Sequence, residues 1–225
     1  MIIAALQPGY LPWLGFFDLM KRCDVFVIED SLKYTKQDWR NRNRIRTRQG
    51  WVYLTVPVEK GATGKRIRDV SIDNSRDWAS RHYTLLRENY RHAPYWDQYA
   101  PFLEESFRRS WTNLHELDLH FIEFFAREFQ IATPRRLLSE LGVEFTGDKT
   151  GDLVDLARAA GGTTFIEGST GKSFVNVEQF QAAGLEVLFQ VYDCRPYPQQ
   201  FEPFVSHLSA IDLLLNLGPA SGAHI

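Results

Sequence analysis

Arginine and lysine crowd one short segment of the chain. KYTKQDWRNRNRIRTRQG (33–50) carries Lys33, Lys36, Arg40, Arg42, Arg44, Arg46 and Arg48 against one carboxylate, Asp38. In an extended chain alternate residues share a face, so the even-numbered arginines would stand together. Like charges on one face repel unless an anion neutralises them. Guanidinium forks bind phosphate and carboxylate through paired bonds, so phosphate, pyrophosphate or carboxylate is the expected partner. The alternative is a solvated, charged edge strand. Arg40, Arg42 and Arg44 are expected to line the anion site, with Lys36 nearby. Asn41 and Asn43 leave neither face of 40–44 apolar, which predicts a segment lining a wet cleft.

Three further stretches could do chemistry. QPGYLPWLGFF (7–17) follows an apolar run and offers Gln7 and Tyr10 as polar groups. Gly9 and Gly15 there allow close backbone approach. It reads equally as a rigid turn with Trp13 and Phe16 in the core. FIEGSTGKSF (165–174) resembles a P-loop but lacks its spacing, because GxxxxGK[ST] needs glycine where Ile166 stands. Ser169 to Lys172 fit SxxK without its companion motifs. Gly168, Ser169 and Lys172 remain as phosphate or sugar contacts, or as an ordinary loop. After YPQQF (197–201), HLSAIDLLLNLG (207–218) places Ser209, Asp212 and Asn216 on one helix face. That stripe either points at a site or faces solvent. Asp30 ends an apolar run, where functional carboxylates often sit. The histidines show no metal spacing, and no protein metal site is expected.

The elements that must position these residues alternate. IIAALQ (2–7) and DVFVIED (24–30) read as buried strands around a helix at 14–23, the pattern of a βαβ unit. WVYLTVPVE (51–59) and RDVSID (68–73) read as further strands. Residues from about 78 to 129 show helical spacing in three runs, and Thr112 or Asn113 could cap the third. TPRRLLSEL (133–141) could form a strand. Then follow a helix ended by Gly161-Gly162, a strand TTFIEG (163–168), a helix NVEQFQAAG, a strand LEVLFQVY (185–192) and a last helix. The expected fold is α/β: a mostly parallel Rossmann-like sheet of the nucleotide-binding type. It forms a single domain, 1–225, with a helical insertion or subdomain at about 75–130. In such a sheet ligands bind beyond the carboxyl ends of the strands. Residues 7–15, Asp30 and 165–172 are therefore expected to converge on one concavity at that edge.

Composition bounds the rest. The 225 residues are 44% hydrophobic and 24% charged, enough for a sizeable core and far from disorder. A net charge of −2 disfavours a globally basic nucleic-acid binder. Aromatics reach 14%, read as core filling or as sugar and base contacts. Two cysteines, Cys23 and Cys194, fit a reducing compartment. MIIAALQPGYLP has no basic start or long apolar run, so no signal peptide is expected and the localisation reads as cytoplasmic. No membrane insertion is expected.

Taken together, QPGYLPWLGFFDLM, DVFVIEDSLKYTKQDWRNRNRIRT, WVYLTVPV, IEGSTGKSF and SAIDLLLNLG resemble the WbqC-like protein family over nearly the whole chain. QPxYLPWLGxF and DWRNRNxI are the specific parts. The resemblance implies recurrent polar positions at Gln7, Tyr10, Asp30, Tyr34, Lys36, Asp38, Trp39, Arg40, Asn41, Arg42, Asn43, Gly168, Tyr197, Gln199, Ser209, Asp212 and Asn216. Leu215 stands where the family commonly shows Phe. Members are often encoded among genes for O-antigen (lipopolysaccharide) and other surface glycans, and some are named as glycine transferases. The resemblance thus implies acylation of an amino sugar. The start of the chain also looks like that of nucleotidyltransferases and pantothenate synthetase. Those use a histidine pair where Gln7 and Tyr10 stand here.

The expected function is a cytoplasmic transferase in O-antigen or surface-polysaccharide precursor synthesis. It would move an acyl or aminoacyl group to a nucleotide-linked amino sugar. The arginine segment would bind the phosphorylated sugar, and Asp30 or Asp38 would act as general base. One alternative is a nucleotidyltransferase or ATP-dependent ligase using a nucleotide with Mg²⁺. Another is a non-catalytic glycan or nucleotide-sugar binding module. The cofactor stays open between such a nucleotide and an acyl or aminoacyl carrier, which would then be a second partner. Nucleic acid is not expected as a partner.

Overall fold

A computed structural model describes residues 1–225. In chain order its elements are β1 (Ile2–Leu6), α1 (Leu14–Lys21), β2 (Val25–Ile28), β3 (Arg42–Thr47), β4 (Gly50–Thr55), α2 (Trp78–Tyr90), α3 (Trp96–Arg108) and α4 (Leu114–Glu128). Then come β5 (Arg135–Leu137), α5 (Lys149–Ala159), β6 (Thr164–Glu167), α6 (Val177–Ala182), β7 (Glu186–Phe189), α7 (Ala210–Leu217) and α8 (Ser221–His224). They divide into two units. The first holds Met1–Gln7, Gly15–Leu32 and Ile131–Asp193; the second holds Pro8–Leu14, Lys33–Gln130 and Cys194–Ile225.

The first unit is built on a five-stranded sheet in the order β5-β2-β1-β6-β7, every pair parallel. Counted along the chain within this sheet, the order is 3-2-1-4-5, the doubly wound Rossmann arrangement. Strands covered on both faces read as continuous apolar runs, which is why IIAAL and VFVI carry no alternation. Ile3, Ala5, Val27, Phe165 and Phe180 join Leu153, Leu156 and Ala157 of α5 in one buried cluster. Phe16 of α1 meets Phe26 edge-on, with ring centroids 5.1 Å apart. The mostly parallel α/β sheet expected from sequence is what forms. Cys23, in this unit, and Cys194, in the other, are both free.

The second unit combines helices α2, α3, α4, α7 and α8 with an antiparallel hairpin of β3 and β4, in register from Arg42↔Thr55 to Thr47↔Gly50. Its helices start where the sequence supplies caps. Asp77 accepts from Ser80 N–H, Asn113 from Glu116 N–H and Ser209 from Ile211 N–H. Such caps contribute about 1 kcal/mol each. The face of α4 bearing Leu114, Leu117, Phe121 and Phe125 is fully buried.

Two expectations need correction. The strand at 51–59 ends at Thr55 and pairs with β3 in the antiparallel hairpin. No strand forms at 68–73. A 3-10 turn covers Ile67–Asp69, and only isolated bridges join Val58 to Ile72 and Ser71 to Asn113. Pro57 has no N–H to donate, so a ladder alongside 56–59 cannot extend. No helix is long and apolar enough to cross a membrane.

Candidate functional site

In the first unit the chain order of the strands reverses between β1 and β6. Ligands of open parallel sheets bind at that reversal, outside the carboxyl ends. Gln7 leaves β1 there. Gly168 leaves β6 and opens a 3-10 turn, Ser169–Ser173, on which Ser169 and Lys172 are exposed. Register sets Leu6 beside Ile28 and Ala4 beside Ile166, so Gln7, Asp30 and Gly168 all follow the same edge of the sheet.

Asp30 is 1% exposed. Its oxygens accept Ser139 N–H (2.9 Å), Ser139 Oγ (2.6 Å) and Ser31 Oγ (3.2 Å). Those bonds fasten the turn after β5 to the end of β2. They leave the carboxylate a holding role, where sequence reading expected a base.

Glu167, which sequence reading passed over, is the last residue of β6. It is half-buried, and burial pushes its carboxyl up to about 7, against an opposing bond from the Gly168 N–H. Its side chain lies over Gly171: a Cβ there would fall 2.0 Å from Glu167 Cγ. The signal available in the sequence was position alone, a carboxylate closing a strand before a glycine.

In the second unit the arginine segment is extended only over Arg42–Thr47, with Arg40 and Arg48 in the flanking turns and Arg42, Arg44 and Arg46 facing Thr55, Tyr53 and Trp51 across the hairpin. Their surroundings differ sharply. Arg46 is 1% exposed and donates to four carbonyls, those of Thr47, Gly50, Phe201 and Pro203. Arg42 donates to the Gln37 carbonyl at 2.5 Å and lies over the Tyr53 ring. Arg44 donates to the His207 carbonyl at 2.8 Å and lies against the rings of both Trp39 and Trp51. Its Nε is buried without a partner. Trp39 and Trp51 are 46% and 45% exposed, and His207 stacks on Trp13. Arg40 forms an ion pair with Asp38, which also accepts Thr35 Oγ1 and Trp39 N–H. Both Asp38 oxygens thus have partners, while its side chain stays 34% exposed. Lys36 is exposed.

The asparagines correct the wet-cleft expectation. Asn41 and Asn43 are buried, with their amides on the carbonyls of Val56 and Leu11. A face that looks polar in sequence is buried because main-chain oxygens satisfy it. Leu11, Gln37 and His207 hold three of the four positive φ angles outside glycine, and each gives its carbonyl to one of three consecutive residues, Asn43, Arg42 and Arg44. Backbone held in this region costs about 1–3 kcal/mol per residue and gathers at functional sites. Gly9 belongs here too: its Cβ would stand 2.8 Å from the Trp39 carbonyl oxygen, and Tyr10 N–H binds the Arg40 carbonyl.

The remaining expected residues form buried networks. Tyr10 is fully buried with its hydroxyl 2.9 Å from His82 Nδ1, and burial raises its pKa, with the nearby Asp118 adding to the rise. No surface reaches it, against its expected place at a substrate. Tyr34 is 1% exposed, its pKa raised by burial first and by Asp118 second. Asp212 accepts Tyr90, Tyr197 and Gln199, and burial lifts it to about 6. Asn216 donates to the Asp212 carbonyl, and Ser209 serves as cap. The polar stripe of α7 is thus interior, neither solvated nor open. Asp118, missed by sequence reading, is fully buried with both oxygens unpartnered, and burial raises its pKa well above the usual range. His82 is driven down to about 4 by burial, against a backbone bond to Thr55. Helical spacing does put Asp118 in line with Leu114, Phe121 and Phe125, and that signal could have found it.

The fold defines an α/β protein with a Rossmann-ordered parallel sheet, with Asp30 and Glu167 both standing at the carboxyl edge of its strands. A family model described as the WbqC-like protein family matches residues 7–224, and the chain belongs to that family. It is also 36% identical over 219 residues to Uncharacterized protein Rv1507c of Mycobacterium tuberculosis (strain ATCC 25618 / H37Rv), covering 96% of this chain and 94% of the relative. No solved structure matches the chain with significance.

Proposed function

We propose that the chain is a transferase acting on a nucleotide-linked amino sugar in surface-polysaccharide precursor synthesis, moving an acyl or aminoacyl group to the sugar amine. The observation that carries this reading is the strand order, which reverses between β1 and β6, with Gln7 following the first strand and the polar turn at 168–173 the second. Such a reversal is the ligand crevice of nucleotide-binding sheets. In the second unit the face of Arg42, Arg44, Trp39 and Trp51 supports phosphate and ring recognition, since guanidiniums grip phosphate and indoles stack on rings. An acyl donor such as a thioester then loses its carrier as the new nitrogen–carbon bond forms.

The test is a thermal-shift screen of nucleotide sugars, free nucleotides and acyl carriers. A ligand at 100 times its dissociation constant stabilises by about 2.7 kcal/mol. Nucleotide amino sugars are expected to raise Tm, and mass spectrometry is expected to find the acylated sugar once the donor is added. Stabilisation by free nucleoside triphosphates alone would favour nucleotidyl transfer instead. Stabilisation by free glycans with no product would favour a binding module.

A further inference from the structure

Glu167 closes β6 beside β1, where the strand order reverses. It is half-buried over Gly171, and its one supporting bond is the Gly168 N–H. The elements around it supply no counter-cation. β1 carries no ionisable side chain, and β7 carries only Glu186 at its far end, bound by Thr164 Oγ1. The turn after Gly168 contributes Lys172, which is exposed. A carboxylate removed from water without a protein cation is complementary to a cation that a ligand brings.

We infer that Glu167 receives the amine of the acceptor sugar, pairing with its ammonium and taking one proton from it. This rests on the transferase reading above. The balance is simple. The ammonium gives one proton to the Glu167 carboxylate, and the free amine attacks the carbonyl carbon of a thioester-class donor. The nitrogen–carbon bond forms, the carbon–sulfur bond breaks, and the second amine proton leaves with the thiolate. A carboxyl that titrates near neutrality can both take that proton and return it to water. Asp30 and Asp38, with their oxygens already occupied, do not compete for the task.

The experiment compares UDP-glucosamine with UDP-glucose by calorimetry on the full chain. Wild type is expected to prefer the amino sugar by about tenfold near pH 7, and Glu167→Gln is expected to bind both sugars alike. Equal affinities in wild type, or an amine preference that survives in E167Q, overturn the role of Glu167 and leave the nucleotide-sugar reading standing. Failure of both sugars to bind overturns that reading and the inference with it. A second measurement needs no ligand. A carbon-13 titration of glutamate carboxyls, assigned by difference from E167Q, is expected to show one midpoint near 7. A Glu167 midpoint below 5 overturns the inference.

Discussion

Arg44 donates to the carbonyl oxygen of His207 at 2.8 Å, although 163 positions separate the two in sequence. The bond is made to a residue at φ 57°, so the fold holds a strained backbone in place to receive it. One guanidinium thereby fixes a loop, lies against two exposed indoles and keeps its buried Nε unpaired.

The arginines should separate by burial. Arg42→Ala and Arg44→Ala are expected to weaken a phosphorylated ligand by about 1.5–3 kcal/mol each, as charge-assisted bonds do. Added salt should weaken wild-type binding as well. Arg46→Ala should instead cost more than about 3 kcal/mol of stability, because four carbonyls lose their donor. Calorimetry and urea unfolding of the three variants check this. Unchanged affinity in both R42A and R44A would assign those side chains to holding the hairpin.

Asp118 predicts a pH effect of known sign. Its folded-state pKa is raised by burial, so the native chain keeps a proton that the unfolded chain releases above about pH 4. Stability from this group is present below that pH and is lost as pH rises. Asp118→Asn carries no titrating proton. It should be more stable than wild type at pH 8, and the gain should shrink toward pH 4. Unfolding curves at the two pH values test it, and an equal difference at both would contradict it.

His82 works the other way. Its pKa falls to about 4, so the unfolded chain binds a proton below about 6.5 that the native chain refuses. Stability should drop by about 3 kcal/mol in total as pH falls from 6.5 through 4. Denaturant titrations of wild type and His82→Asn across that window are expected to show the smaller loss in the variant. Parallel losses would show that another group titrates.

The sheet was legible because its central strands are buried on both faces and alternate with amphipathic helices, so β1, β2 and β6 appear as apolar runs. The hairpin was harder. Its charged strand is stabilised by carbonyls and rings distant in sequence, such as Phe201, Pro203 and His207. Asn41 and Asn43 looked wet for the same reason. Asp30 looked free because its partner, Ser139, is 109 residues away. Glu167 gave almost no sequence signal, since its state depends on how β6, Gly168 and Gly171 enclose it.

The central claim is that a nucleotide-linked sugar binds where β1 and β6 diverge in chain order. Amide chemical-shift mapping by NMR, titrating the screen's best nucleotide sugar into the labelled chain, tests it most directly. The account predicts saturable shifts at Gln7 and at Gly168 to Lys172, following the carboxyl ends of the two strands. Saturable binding that leaves those amides unmoved would contradict it.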